Sequence, residues 1–247
     1  FVLKRNGGVL MKSKVVYVLR HGQTEWNLAG RMQGRMDSPL TALGEAQADA
    51  HGALLKSLGG VDELWVSSAN RTRATAALVN KHLTAPMRFS DHLLERDCGT
   101  WSGKTLEEVA ASEPHNWSAR KSDPYHHRPG GGENLLDLGR RFNHLLDDFE
   151  PVERLAIVAH GVVSKAILQH FLGLDEAQTI AVKHPNSLLY RLSVSVSGVE
   201  VTHFVAQASG TSQVLDLQHT AQPVEGVLGH EGEDVKQQGA SAAMQSE

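Results

Sequence analysis

A single cysteine, Cys98, stands in a sequence of 247 residues, so an internal disulfide is excluded and the fold needs no oxidising compartment. The thiol reads as a small buried or half-buried side chain. No apolar run approaches the ~20 residues that span a bilayer, and the first residues lack the apolar centre of a secretory signal. A protein without a membrane partner, at home in the cytoplasm, is the expectation. An excess of one charge is missing too. Lys and Arg number 24 against 28 Asp and Glu, a net charge of −4 that leaves no basic footprint for nucleic acid, so any selectivity for anions has to be local. Fourteen histidines invite a metal hypothesis, but a His-Glu-x-x-His helix and a cysteine cluster are both lacking. Neither a metal nor a cofactor is therefore expected.

What is present is an ordinary globular composition, 40% hydrophobic and 21% charged, in a chain long enough to bury a sizeable core. No internal repeat or linker divides it, which favours one domain over residues 13–208. Residues 1–12 read as an N-terminal extension. Residues 209–247 lose periodicity and large apolar side chains and read as a disordered C-terminal tail.

Within the domain, strands and helices alternate. Val15 to Leu19 is a β-branched apolar run that ends in Arg20-His21-Gly22, a buried strand entering a loop. Thr41 opens a helix that closes at Gly59-Gly60, Glu63 to Ser67 is the second strand, and Asn70 is placed to cap a helix through about Leu83. Met87 to Phe89 follows as a short strand, then a helix from Lys104 to Ala111 that must stop before Pro114. Residues 112–132 are rich in Pro, Gly, His and Arg and read as a long connection. A helix from about Asn134 to Phe149, a strand from Leu155 to Ala159 and a helix from Val162 to Leu172 come next, and Leu188 to Val194 pairs with Val199 to Ala206 as a hairpin through Ser197-Gly198. This order implies an α/β fold with a mostly parallel central sheet covered on both faces.

Three of these strands end in polar residues suited to phosphate chemistry: Arg20 and His21, Arg71, and His160. The carboxyl ends of strands in such a sheet share one edge, where ligands bind. A transferring phosphoryl group spreads negative charge over its equatorial oxygens, and Arg20 and Arg71 can each grip two of them in a planar fork. The amide of Asn27 and backbone N–H groups around Gly22 and Gly161 can complete the cradle. An imidazole crowded by cations stays unprotonated, which makes His21 a candidate nucleophile, while a carboxyl beside bound phosphate tends to hold its proton and can serve as general acid.

These stretches carry a resemblance over nearly the whole folded part. Leu19-Arg20-His21-Gly22-Gln23-Thr24-Glu25-Trp26-Asn27 resembles the signature of the histidine phosphatase superfamily, the phosphoglycerate mutase-like proteins, and Arg31 to Thr41 resembles the segment that follows in its phosphatase branch. Ser67 to Ala76 is similar to the family's second-arginine motif and points to Arg71 rather than Arg73. Leu94-Glu95 with Gly99-Thr100-Trp101-Ser102-Gly103 is similar to the acid-bearing motif, and Val158-Ala159-His160-Gly161 to the second-histidine motif.

The resemblance implies a three-layer α/β/α sandwich with His21 as phosphoacceptor, Glu95 as proton donor and acceptor, and Arg20, Arg71 and His160 as phosphate ligands. Asn27, Gln33, Gly34 and Gly161 would lie on the substrate side. Two departures are visible: Gln23 stands where the family often has Glu, and Arg73 adds a second arginine near Arg71. Trp26 and Trp101 read as packing residues, and Glu133 reads equally as a family position or as a carboxylate at a helix start.

Phosphoglycerate mutases carry a longer, more basic insertion after the acid motif, with an arginine pair that holds a bisphosphorylated cofactor. Here the corresponding stretch is short and glycine-rich. The expectation is a metal-independent phosphatase acting on a small phosphorylated metabolite, with mutase-type transfer or a non-catalytic phospho-ligand binding protein as the alternatives. Specificity is expected in residues 112–132, through Trp117, Arg120, Tyr125 and Arg128. The natural substrate and the oligomeric state cannot be read from the sequence.

Overall fold

The computed structural model describes residues 13–149 and 151–205, so the expected N-terminal extension and C-terminal tail lie outside the described residues. Six strands form one sheet: β1 (Lys14–Arg20), β2 (Glu63–Ser67), β3 (Met87–Ser90), β4 (Arg154–Ala159), β5 (Leu188–Ser195) and β6 (Gly198–Val205). Their spatial order is β3-β2-β4-β1-β5-β6. The first four run parallel, β5 is antiparallel to β1, and β6 returns against β5 as the expected hairpin.

Alternation along β1 sorts the core into two layers. Val16 and Val18 join Leu155 and Ile157 on one face, packed against Phe142, Val163 and Ile167. Tyr17 and Leu19 join Leu64, Val66 and Val158 on the other face, packed against Leu54, Leu55, Ala76 and Val79. The first face is covered by α6 (Leu135–Asn143) and α8 (Gly161–Leu172), and the second by α2 (Ala42–Ser57) and α3 (Asn70–Asn80). Buried on both sides, the parallel strands need a near-continuous apolar run, and Leu-Ala-Ile-Val-Ala in β4 supplies it. The α/β/α sandwich expected from the sequence is the fold observed. Among the described residues, no helix is long and apolar enough to cross a membrane.

Helix boundaries differ from expectation in physically readable ways. The cap of α3 is Ala69, with Asn70 already inside the helix; the free N–H groups of Asn70 and Arg71 are taken at 2.9 and 3.4 Å by the carboxylate of Asp37, a residue remote in sequence. The segment 112–132 is not one long connection. After α4 (Leu106–Ser112), Pro114 begins α5 (Pro114–Ser122), where a proline's missing N–H costs nothing at the first turn. The single helix expected from Asn134 to Phe149 is two, α6 and α7 (Leu146–Phe149). Two short helices escaped the sequence reading, α1 (Glu25–Leu28) and α9 (Glu176–Ala181), although each opens with a capping box, Thr24 with Asn27 and Asp175 with Gln178.

One close approach supports the loop after β1. A Cβ on Gly44, in the first turn of α2, would lie 2.0 Å from the carbonyl oxygen of Gln23, and one on Gly22 would lie 2.1 Å from that of Gly44. Gly44→Ala is therefore expected to cost about 1–3 kcal/mol, the scale of overpacking a tight contact. Urea unfolding checks this, and an unchanged midpoint would contradict the contact.

Candidate active site

The order β2-β4-β1 brings the carboxyl ends of three neighbouring parallel strands together, and the expected residues meet there. His21 and His160, one residue past β1 and β4, have ring centroids 5.3 Å apart at 63°. His21 Nδ1 lies 2.8 Å from the carbonyl oxygen of Gly22. A carbonyl only accepts, so Nδ1 carries the proton and Nε2 keeps its lone pair. Burial first, then the positive charges of Arg20 and Arg71, holds the His21 imidazole well below the ordinary histidine range, outweighing the opposing effect of the Gly22 carbonyl. The ring is neutral at physiological pH. His160 is held low in the same direction by burial and by Arg71.

His160 Nε2 lies 2.7 Å from Ser67 Oγ, at the end of β2. If the hydroxyl donates, His160 Nδ1 becomes an N–H donor. Arg71 is almost wholly buried; its Nη1 donates to the Met36 carbonyl and to Asp37 Oδ1, each at 2.6 Å, and its Nη2 to the Gly34 carbonyl at 2.8 Å. Arg20 donates through Nη1 to the His184 carbonyl at 3.0 Å. That leaves Arg20 Nε, Arg71 Nε and His160 Nδ1 buried with no partner among the described residues. An unpaired buried donor costs roughly 1–3 kcal/mol, and an anion with several oxygens can satisfy more than one at once.

Glu95 lines the same cleft as Arg20, His21 and Arg71. Its Oε2 accepts the N–H of Val162 and its Oε1 that of Val163, both at 3.1 Å, and Oε1 also accepts the N–H of Arg96 at 2.8 Å. The carboxylate thus closes the amino end of α8, where free N–H groups and the helix dipole favour negative charge. The cleft, of about 200 Å³, is lined by Arg20, His21, Asn27, Arg71, Glu95 and Val162, together with Arg31 to Gly34, Arg96 and Cys98. Among the described residues, no group of three or more His, Cys, Asp or Glu is arranged to hold a metal ion.

Most sequence-predicted residues therefore converge, with distinctions. Asn27, Gln33 and Gly34 line the cleft, but the Gln33 side chain is occupied inside the protein, donating to Thr24 Oγ1 at 2.8 Å and accepting from Ser38 Oγ at 3.3 Å. His160 is fully buried beside His21 and is not among the residues that line the cleft. Gly161 backs the Arg20 guanidinium, where a Cβ would sit 3.4 Å from it. The backbone N–H of Gly22 is spent on Thr75 Oγ1 at 3.0 Å and does not join a cradle. Arg73 stacks over Phe89 and donates to the Ser68 carbonyl, away from the site.

The expectation for residues 112–132 needs correction. Tyr125 is buried, its hydroxyl bonded to Gln169; Arg128 is paired with Asp137; and Trp117 packs on Trp101 with Arg120 over its ring. None of the four lines the cleft. Supporting residues that the sequence did not reveal include Asp37, Ser67, and Asn186, whose Nδ2 donates to the His21 carbonyl at 2.7 Å.

Residues 16–207 match the model of the Histidine phosphatase superfamily (branch 1), and the chain belongs to that family, as its motifs implied. It is 28% identical over 205 residues to a relative from Salmonella paratyphi B named "Probable phosphoglycerate mutase GpmB", covering 81% of this chain and 94% of the relative. Among solved structures it is similar to a mycobacterial glucosyl-3-phosphoglycerate phosphatase in complex with VO3, with a TM-score of 0.68, 27% identity, and coverage of 77% of this chain and 97% of that one. It also resembles the alpha-ribazole phosphatase from Shigella flexneri, with a TM-score of 0.71 and coverage of 78% and 96%; at 22% identity that likeness concerns the fold.

Proposed function

We propose that this chain is a metal-independent phosphatase that hydrolyses a small phosphate monoester through a phosphohistidine on His21. The observation that carries the proposal is a buried, neutral imidazole whose proton is fixed on Nδ1 by Gly22, set among two guanidiniums with unpaired donors. In the first step the His21 Nε2 lone pair attacks phosphorus and the ester P–O bond breaks. The leaving oxygen takes a proton from the carboxyl of Glu95. In the second step Glu95, now a carboxylate, takes a proton from water as the water oxygen attacks phosphorus. The P–N bond breaks, and phosphate and neutral His21 are restored. Arg20, Arg71 and His160 stabilise the charge on the equatorial oxygens in both steps.

Water as the final acceptor is favoured by the surroundings of the cleft. Arg120 and Arg128 are turned to Trp117 and Asp137, so the segment after the acid motif brings no arginine pair to hold a bisphosphorylated cofactor. The name of the Salmonella relative keeps mutase-type transfer as the second reading. Both are tested by incubating the purified full chain with para-nitrophenyl phosphate, a panel of phosphorylated metabolites and a phosphoglycerate. Phosphate release is the expected result. Positional transfer on phosphoglycerate faster than release would establish the mutase instead, and binding without either reaction would establish a phospho-ligand binding protein.

A further inference from the structure

Glu95 lies in a stretch of chain with little secondary structure of its own, between a short 3-10 turn (Asp91–Leu93) and another at Gly99–Trp101. A proton donor on such a stretch works only if its backbone is fixed, because proton transfer demands hydrogen-bond reach. One guanidinium binds four carbonyls of this stretch. Arg141, near the end of α6, donates through Nη1 to the carbonyls of Asp91, His92 and Leu94 at 3.3, 2.9 and 2.7 Å, and through Nη2 to that of Glu95 at 3.5 Å. Its Nε and Nη2 also bind the two carboxylate oxygens of Glu133 at 3.2 and 3.1 Å. Glu133 grips the chain on the far side of Glu95: its carboxylate accepts the Asp97 N–H at 2.9 Å, and its own N–H donates to the Asp97 carbonyl at 2.9 Å. Arg35 adds a further contact to Glu133 at 3.2 Å.

We infer that Arg141 and Glu133 form a positioning pair that holds Glu95 where it can protonate the leaving group, although neither residue lines the cleft. This rests on the proposed role of Glu95 as general acid. Lysine cannot replace the arginine, since a single ammonium cannot span four carbonyls and a bidentate carboxylate. A merely structural role would lower all turnover alike. A positioning role makes the loss depend on how much the leaving group needs a proton.

The test compares kcat/KM, which reports the step that expels the leaving group, for phenyl phosphate and para-nitrophenyl phosphate. Glu95→Gln is expected to lower the phenyl phosphate value by about 10²-fold or more, and the nitrophenyl value much less, because an acidic phenol leaves unaided. Arg141→Lys is expected to show the same selectivity at about 10-fold, and adding it to Glu95→Gln should cost little more, since both changes remove one function. If Arg141→Lys fails to fold, Glu133→Gln carries the same comparison. Equal losses on both substrates, no loss, or multiplicative losses in the double variant overturn the positioning pair while leaving Glu95 as the acid. Absence of selectivity in Glu95→Gln itself removes the acid role, and this inference with it.

Discussion

Replacing His21 with alanine is expected to lower phosphate release by at least about 10⁴-fold, the scale on which enzymes lose turnover when a covalent nucleophile is removed. The size follows from how completely the site is built around this ring. Gly22 fixes its tautomer, Asn186 holds its backbone carbonyl, and burial, then Arg20 and Arg71, keeps it neutral, so no other described group at the cleft combines a fixed lone pair with that environment. His160 is the neighbouring imidazole, but its Nε2 is engaged with Ser67. The variant should still bind inorganic phosphate, because both arginines remain. Steady-state release measured beside phosphate binding checks both halves. More than about a hundredth of wild-type turnover in a folded His21→Ala protein would mean that water attacks the ester directly.

A second large effect is expected in stability. His21, His51, His160 and His184 are buried, and burial is the largest cause holding each below the ordinary range, His51 to about 4 and His184 to about 3. In the unfolded chain each titrates near its ordinary value of about 6.5. Between that value and the lower folded one, the unfolded state binds more protons, so stability is full above about pH 6.5 and falls as the pH drops below it. His51 and His184 each contribute about 1 kcal/mol of loss between about pH 7 and 5.5, and His21 and His160, held low in the same direction, add to it. Urea unfolding at the two pH values measures it. His51→Gln should flatten the slope by about one histidine's share, since His51 meets Ser187 in the hairpin approach rather than the cleft. A pH-independent stability over this range contradicts the burial of these rings as neutral species.

How far the sequence foretold the site depends on whether the information was local. His21, Arg71 and His160 stand at or just beyond the ends of apolar strands, and a parallel sheet must bring such ends to one edge. Glu95 follows no strand and was found through family resemblance, not periodicity. The parts played by Asp37, Ser67, Asn186 and Arg141 left no signal, because each acts through a contact with a residue dozens of positions away. The same cause misplaced the start of α3: Asn70 has the right chemistry for a cap, but Asp37 takes that role from across the fold. Tyr125 and Arg128 looked available for substrate until Gln169 and Asp137 claimed them. By contrast, the capping boxes of α1 and α9 are each written in four consecutive residues, a local signal that the sequence reading passed over.

The most direct test of the account is to trap the intermediate. The full chain is mixed with an aryl phosphate labelled in its phosphoryl group, quenched in alkali during turnover, and digested for peptide mapping. The account predicts a label that is stable to alkali, lost in acid, located on His21 and missing from His21→Ala. Turnover at full rate with no trapped label, or with the label on another residue, would contradict it.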